Sequence, residues 1–185
     1  MFKVEFDTSA IKRLSDAARR AVEQVVKDSG FKNELAQAVV DDIRGVTRSG
    51  KSVVTGKRLK PLTERWIETR EKIISFQGAP SYVTPKKSNI SLSGQLLDSL
   101  SYKIRGNGVS SFEVTYQFAG SRRPYRYQGK KGVVTLKSKV TNDELSRILD
   151  EKYQFIGIRE KLQSQLVKRL VDYYRVTISK LTRRG

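Results

Sequence analysis

Two stretches of this chain carry residue types at spacings that could do chemistry with phosphate or other anions. The first is Gly45-x-x-x-x-Gly50-Lys51-Ser52, which has the spacing of a nucleotide-binding P-loop. In a working P-loop, backbone amides cradle phosphates between a buried strand and a following helix, and lysine reaches the outer phosphates. The flanks do not fit. The preceding AVVDDIR has helical periodicity and two aspartates, while Gly56 and Pro61 interrupt any helix after Ser52. No apolar strand ending in a metal-binding aspartate follows. The stretch therefore reads as a basic loop.

The second stretch is AGSRRPYRYQGKKG, residues 119 to 132. Arg122, Arg123, Arg126, Lys130 and Lys131 interleave with Tyr125 and Tyr127, and no carboxylate occurs between Glu113 and Asp143. Cations neutralise phosphates and aromatic faces stack on bases, so the pattern suits a polyanion backbone. It equally suits an acidic groove on a partner protein. Lys57, Arg58 and Lys60, in the loop after the P-loop-like stretch, add a second group of candidate contacts.

Composition narrows the chemistry. The 185 residues hold 37 Lys and Arg against 19 Asp and Glu, a net charge of +18. Such an excess repels itself unless nucleic acid, an acidic protein surface or an anionic membrane is nearby. Cysteine and histidine are both absent. That removes disulfides, thiolate nucleophiles, Cys/His zinc sites and histidine general bases, so no catalytic, cofactor-binding or metal-ligating residue is nominated. The N-terminus, MFKVEFDTSAIKRL, lacks the apolar core of a signal peptide. No apolar run approaches the roughly 20 residues of a membrane helix. These features predict a soluble protein made in a cytoplasm and no membrane contact.

The elements that must position these residues are legible in outline. Val4 and Phe6 predict an extended lead-in, and Asp7-Thr8-Ser9 offers caps for a helix carrying Ile11, Leu14, Ala18, Val22 and Val25. Gly30 is expected to end it, with a second helix bearing Phe31, Leu35, Val39, Ile43 and Val46, the two forming a helical hairpin or one long helix broken near Ser29-Gly30. Thr63 is the expected cap of a third helix containing Trp66, Ile67, Ile73 and Ile74, with Trp66 a core or interface anchor. Residues 78 to 90, rich in proline and free of acids, predict an extended arm that orders on assembly.

Ser91 to Phe118 predicts a capped turn feeding a β-hairpin. Ser91 or Ser93 caps Leu96 and Leu97, then Leu100, Tyr102 and Ile104 share one face. Gly106-Asn107-Gly108 supplies the reversal, and Phe112, Val114, Tyr116 and Phe118 line the return strand. Val133 to Val140 predicts a short strand, and Thr141 with Glu144 a capping box before Leu145, Ile148 and Leu149. Tyr153 to Ile158 reads as a last strand pairing with the hairpin. A long final helix carries Leu162, Leu166, Leu170, Tyr174, Ile178 and Leu181 on one stripe, and its basic end suits the helix dipole. The expected fold is α+β: a small antiparallel sheet packed against several helices, with a helical N-terminal region and a long C-terminal helix. One domain over residues 1–185 is expected, comprising 1–48, 49–92 and 93–185.

Three stretches together resemble a known family. They are Thr55-Gly56-Lys57-Arg58-Leu59-Lys60-Pro61-Leu62 before a Trp-bearing helix, Leu92-Ser93-Gly94-Gln95-Leu96-Leu97-Asp98-Ser99-Leu100 before a hairpin, and Phe155-Ile156-Gly157-Ile158 before the terminal helix. Their order is similar to that of the bacteriophage virion-morphogenesis proteins, the tail-completion and neck components of long-tailed phages. The resemblance spans roughly residues 45 to 182 (Pro124 to Gly129 is shorter and more basic than the family's corresponding segment). It implies a structural virion protein without catalysis or cofactor. Copies would form a ring, sixfold in this reading, binding the head connector or adaptor on one side and the tail terminator or tube on the other. Lys57, Arg58, Lys60 and the 122–131 cations would touch these partners or the backbone of channel DNA. The rival reading is a stand-alone, sequence-independent nucleic-acid-binding protein, favoured by the charge and opposed by the lack of a recognised binding motif.

Overall fold

The computed structural model describes residues 9–88, 94–106 and 112–183. Their order is α1 (Ser9–Lys27), α2 (Ser29–Arg48), α3 (Glu64–Gln77), α4 (Gln95–Asp98), β1 (Leu100–Gly106), β2 (Phe112–Phe118), β3 (Tyr125–Gly129), β4 (Gly132–Leu136), α5 (Asn142–Tyr153) and α6 (Glu160–Thr182). The fold is α+β. Where one sheet was expected there are two, each of two antiparallel strands: β1 with β2, and β3 with β4. The chain gathers into two compact units. One comprises Met1–Ala36, Ile104–Thr115 and Lys161–Gly185, the other Gln37–Lys103 and Tyr116–Glu160.

In the first unit, α1 buries Ala17, Ala21 and Val25 at helical spacing, and α6 buries Leu162 and Thr177. Phe31 stacks on Tyr173 with ring centroids 4.1 Å apart. The break between α1 and α2 falls at Asp28 and not at Gly30, which sits in the first turn of α2. The cause is a cap: the Asp28 carboxylate accepts from the Phe31 amide at 2.9 Å and from the Tyr173 hydroxyl. A capping carboxylate satisfies amides that a helix start leaves unpaired. Leu166, Tyr174, Ile178 and Leu181 are half-buried as the stripe on α6 predicts, but Leu170 stays 39% exposed. Val4, Phe6, Asp7, Thr8, the turn residues Asn107 and Gly108, and the side chains of Ile11 and Leu14 lie outside the described residues.

The second unit holds the larger core: Val39, Val40, Ile43, Val53, Leu59, Ile73, Val83, Leu96, Leu97, Leu100, Phe118 and Phe155 are all buried. Arg44 on α2 donates to the carbonyls of Leu97, Asp98 and Leu100 at 3.0, 3.1 and 3.0 Å. It thus satisfies acceptors that the short α4 leaves open, with a cation suited to a helix C-terminus. Asp42 and Arg159 form a two-pronged ion pair. Thr63 stands at the N-cap of α3 with extended backbone but makes no side-chain cap bond. The predicted capping box is present: the Glu144 amide donates to Thr141 Oγ1, and the Thr141 amide donates to the Glu144 carboxylate. Ser91 and Ser93 lie outside the described residues.

Tyr153 to Ile158 is not a strand. Tyr153 closes α5, Gln154 turns into the left-handed region at φ 47°, and the Ile156 amide donates to the Asp150 carboxylate. The Gln154 carbonyl accepts from Ser52 Oγ at 2.7 Å and from the Val54 amide. Those groups are therefore not available to a ladder. The apolar character serves packing, since Phe155 is fully buried and its ring lies 5.9 Å from that of Phe118. The strand expected over 133–140 is β4, beginning at Gly132 and ending at Leu136.

Candidate functional site

The basic stretch 119–132 supplies half of a hairpin. β3 pairs with β4 in the register Tyr125 to Leu136, Arg126 to Thr135, Tyr127 to Val134, Gln128 to Val133 and Gly129 to Gly132, leaving Lys130 and Lys131 as a two-residue turn. Glycine suits both shoulders, for different reasons. Gly132 has φ +118°, and a Cβ on Gly129 would meet Val134 Cγ2 at 2.8 Å. Hairpin turns place glycine where φ must be positive, which here is Gly132, while Gly129 is confined by the Val134 side chain.

The pleat then sorts the side chains. Tyr125, Tyr127, Val134 and Leu136 are half-buried on one face, while Arg126, Gln128, Val133 and Thr135 are exposed on the other. Lys130 and Lys131 project at the tip, and Arg123 is exposed just ahead of the strand. The aromatics and cations that alternate in sequence therefore stand on opposite faces. Arg126 and the tip lysines make an exposed cationic edge, and the tyrosines belong to the packing beneath it.

Arg122 differs from its neighbours. Its side chain turns inward, donating through Nη1 to Ser138 Oγ at 3.3 Å and through Nη2 to the Tyr125 hydroxyl at 2.9 Å. Two glutamines fix the backbone on either side: Gln95 Oε1 accepts from the Arg123 amide at 2.8 Å, and Gln77 Oε1 from the Arg126 amide at 2.9 Å. Asn142 ties the Ala119 carbonyl to the start of α5. The display is thus held by elements with buried cores.

Lys57, Arg58 and Lys60 are exposed on a loop closed by a bridge between Lys51 and Arg58. Val53 and Leu59 anchor this loop in the core. The P-loop-like stretch within it is spent on its own backbone. Gly45 to Arg48 are helical, and the amides of Ser49, Gly50, Lys51 and Ser52 donate to the carbonyls of Gly45 and Val46, Thr47, Val46 and Lys57. Such amides have no free donor with which to cradle a phosphate.

Sequence reading missed two kinds of cation. Lys137 and Lys139 are exposed beyond β4 and extend the same acid-free run; the missing acids up to Asp143 were the available signal. Arg70 is only 2% exposed and donates to the Thr84 carbonyl at 3.0 Å. Burial pulls its guanidinium down from the usual arginine range, while neighbouring Tyr125 pushes the other way. Nothing local marks Arg70 as buried, because it sits on a strongly charged helix. Among the described residues, no group of three or more carboxylates lies close enough to hold a metal ion, and no helix is long and apolar enough to cross a membrane. No protein family, curated protein or solved structure matches this chain.

Proposed function

We propose that this chain is a structural subunit of the head–tail junction of a long-tailed bacteriophage virion, needed to complete the tail and join it to the DNA-filled head. The observation that supports this reading is the arrangement of the stretches that carry the resemblance, all within the second compact unit. The Gln154 carbonyl, next to Phe155, binds Ser52 and Val54 at the root of the 55–62 loop. A Cβ on Gly157 would meet Val54 Cγ2 at 2.8 Å. Gly94 is equally confined, with φ +80° and the Tyr82 hydroxyl 2.5 Å from where its Cβ would lie. Among the described residues of these stretches, Leu59, Leu96, Leu97, Leu100 and Phe155 are buried in a packed frame, and exposed Lys57, Arg58 and Lys60 project from the loop that Leu59 anchors. A frame with exchangeable charged loops suits a ring subunit that grips a connector or adaptor on one side and a tail terminator or tube on the other. In this reading the copies form a sixfold ring in the virion. Attraction to channel DNA would be independent of sequence and sensitive to salt.

The test is electron microscopy of a lysate from a virus lacking this gene. Filled heads lying apart from tails of finished length are expected, and intact virions would overturn the reading. A second reading, a stand-alone nucleic-acid-binding protein, draws on the acid-free cationic edge of β3 and β4. Tight, steeply salt-dependent duplex binding by the free monomer, together with intact virions, would select it.

A further inference from the structure

The hairpin of β3 and β4 has two edges, and they differ. Its two-residue turn makes Gly129 and Gly132 a hydrogen-bonded pair, so Tyr127 with Val134 and Tyr125 with Leu136 are bonded pairs as well. By the same alternation, Arg126 and Gln128 direct their amides and carbonyls away from β4, while Val133 and Thr135 direct theirs away from β3. On the β3 side the Arg126 amide donates to Gln77 Oε1 of α3. On the β4 side, among the described residues, β3 is the only strand paired with β4, and no hydrogen bond engages the outward groups of Val133 and Thr135. Folded proteins blunt open edges with charges, prolines or bulges set within the strand. β4 reads Gly-Val-Val-Thr-Leu, without charge or proline, and its register with β3 runs unbroken. Val133 is 55% exposed on it. Cations stand instead beyond its ends: Lys130 and Lys131 at the turn, Lys137 and Lys139 after Leu136, with no acid from Val114 to Asn142.

A row of alternating outward amides and carbonyls is matched by another extended backbone, which offers both kinds of group. Phosphate oxygens accept but do not donate, so they would leave the carbonyls unmatched. A second copy of β4 fits poorly. Antiparallel, it would set Lys131 of each copy beside Lys137 of the other, and parallel, each lysine beside its own counterpart; like charges directly opposite repel. A strand with carboxylates at its ends meets both the open backbone and the lysines that bracket it. We propose that the outer edge of β4 receives an extended strand of a partner protein, one whose carboxylates flank a charge-free middle. Main-chain hydrogen bonds supply the attachment, and the flanking charges select the partner. The inference goes beyond the junction reading and does not depend on it: the edge takes a strand whether or not its owner belongs to a virion, so either can fail while the other stands.

The full chain, labelled for amide NMR, is titrated at low salt to millimolar concentration with the peptide acetyl-Asp-Thr-Val-Thr-Val-Thr-Asp-amide. Saturable shifts centred on the Val133 and Thr135 amides are expected, with their hydrogen exchange slowed about tenfold at saturation. The same peptide N-methylated at its internal residues keeps its charges and loses its donors, and should leave both amides unmoved. With Asn in place of both Asp residues, binding should weaken about fivefold, because two exposed ion pairs are lost. Thr135→Pro removes one outward amide and no bond to β3, and should weaken binding of the Asp peptide about tenfold. If that variant fails to fold, the Asp peptide and its N-methylated form on the unaltered protein still decide. No saturable shift with the Asp peptide, or equal shifts with the N-methylated one, overturns the proposal, and equal affinities of the Asp and Asn peptides overturn the acidic partner. Oligothymidylate that moves Val133 and Thr135 where the Asp peptide does not also overturns it, by assigning the edge to phosphates.

Discussion

The two basic segments of the second unit, 51–60 and 119–132, look alike as sequence and are built differently. Both are glycine-containing, rich in lysine and arginine, and free of acids. The first is an irregular loop pinned by core side chains, with Val53 fully buried and Leu59 7% exposed. The second is a backbone ladder resting on half-buried tyrosines, and from Ala119 to Thr141 it contains no fully buried residue. Cation display is therefore independent of how the backbone is made regular. What differs is where the stability resides: in side-chain burial for the loop, and in turn geometry and hydrogen bonding for the hairpin.

Substitutions separate the two designs. Leu59→Ala should cost the most, about 2–4 kcal/mol, because it removes a buried side chain and leaves a cavity. Urea unfolding measures it, and a loss as small as that of a surface mutation would show that the loop is not core-anchored. Gly129→Ala should cost less, about 1–3 kcal/mol, since its Cβ would overlap the Val134 side chain within the hairpin. An unchanged urea midpoint would mean that the tip relaxes freely. Val133→Ala, at a site 55% exposed, should stay within about 0.5 kcal/mol. Finally, Lys130→Gln with Lys131→Gln should leave stability unchanged, and under the nucleic-acid-binding reading it should make the slope of log binding constant against log salt on duplex DNA shallower by about 1.8. The matched pair Lys57→Gln with Lys60→Gln should change the slope less, because Glu64 and Glu68 follow that loop closely. Equal changes from the two pairs would place both segments on one phosphate-binding surface.

The same contrast explains what was legible. The alternation of Leu100, Tyr102 and Ile104, and of Phe112 to Phe118, gives strands because a pleat repeats every two residues. The Thr141 capping box is present in the structure as well, and the stripe on α6 is half-buried except at Leu170. Residues 125–129 alternate just as regularly, but arginine and tyrosine mask an inner face when tyrosine is read as a binding group. Gly129 and Gly132 bracketing two lysines were the overlooked turn signal. Tyr153 to Ile158 failed in the opposite sense, since an apolar run of that length fits a strand or a plug of buried side chain equally well. Asp28 outranked Gly30 because a cap bond outweighs mere backbone permissiveness.

By itself the sequence determined the α+β class, the helix and strand periods, the excess of positive charge and the absence of histidine and cysteine chemistry. Those properties follow from residue types and short-range spacing, which every conformation of the chain shares. Only the tertiary structure decided that Arg122 turns inward while Arg126 faces water, that Arg70 is buried on a charged helix, and that the amides of Ser49 to Ser52 are already spent. Each depends on which distant groups arrive as neighbours. The energy of a charge or an unpaired amide is set by those neighbours and by the water they exclude.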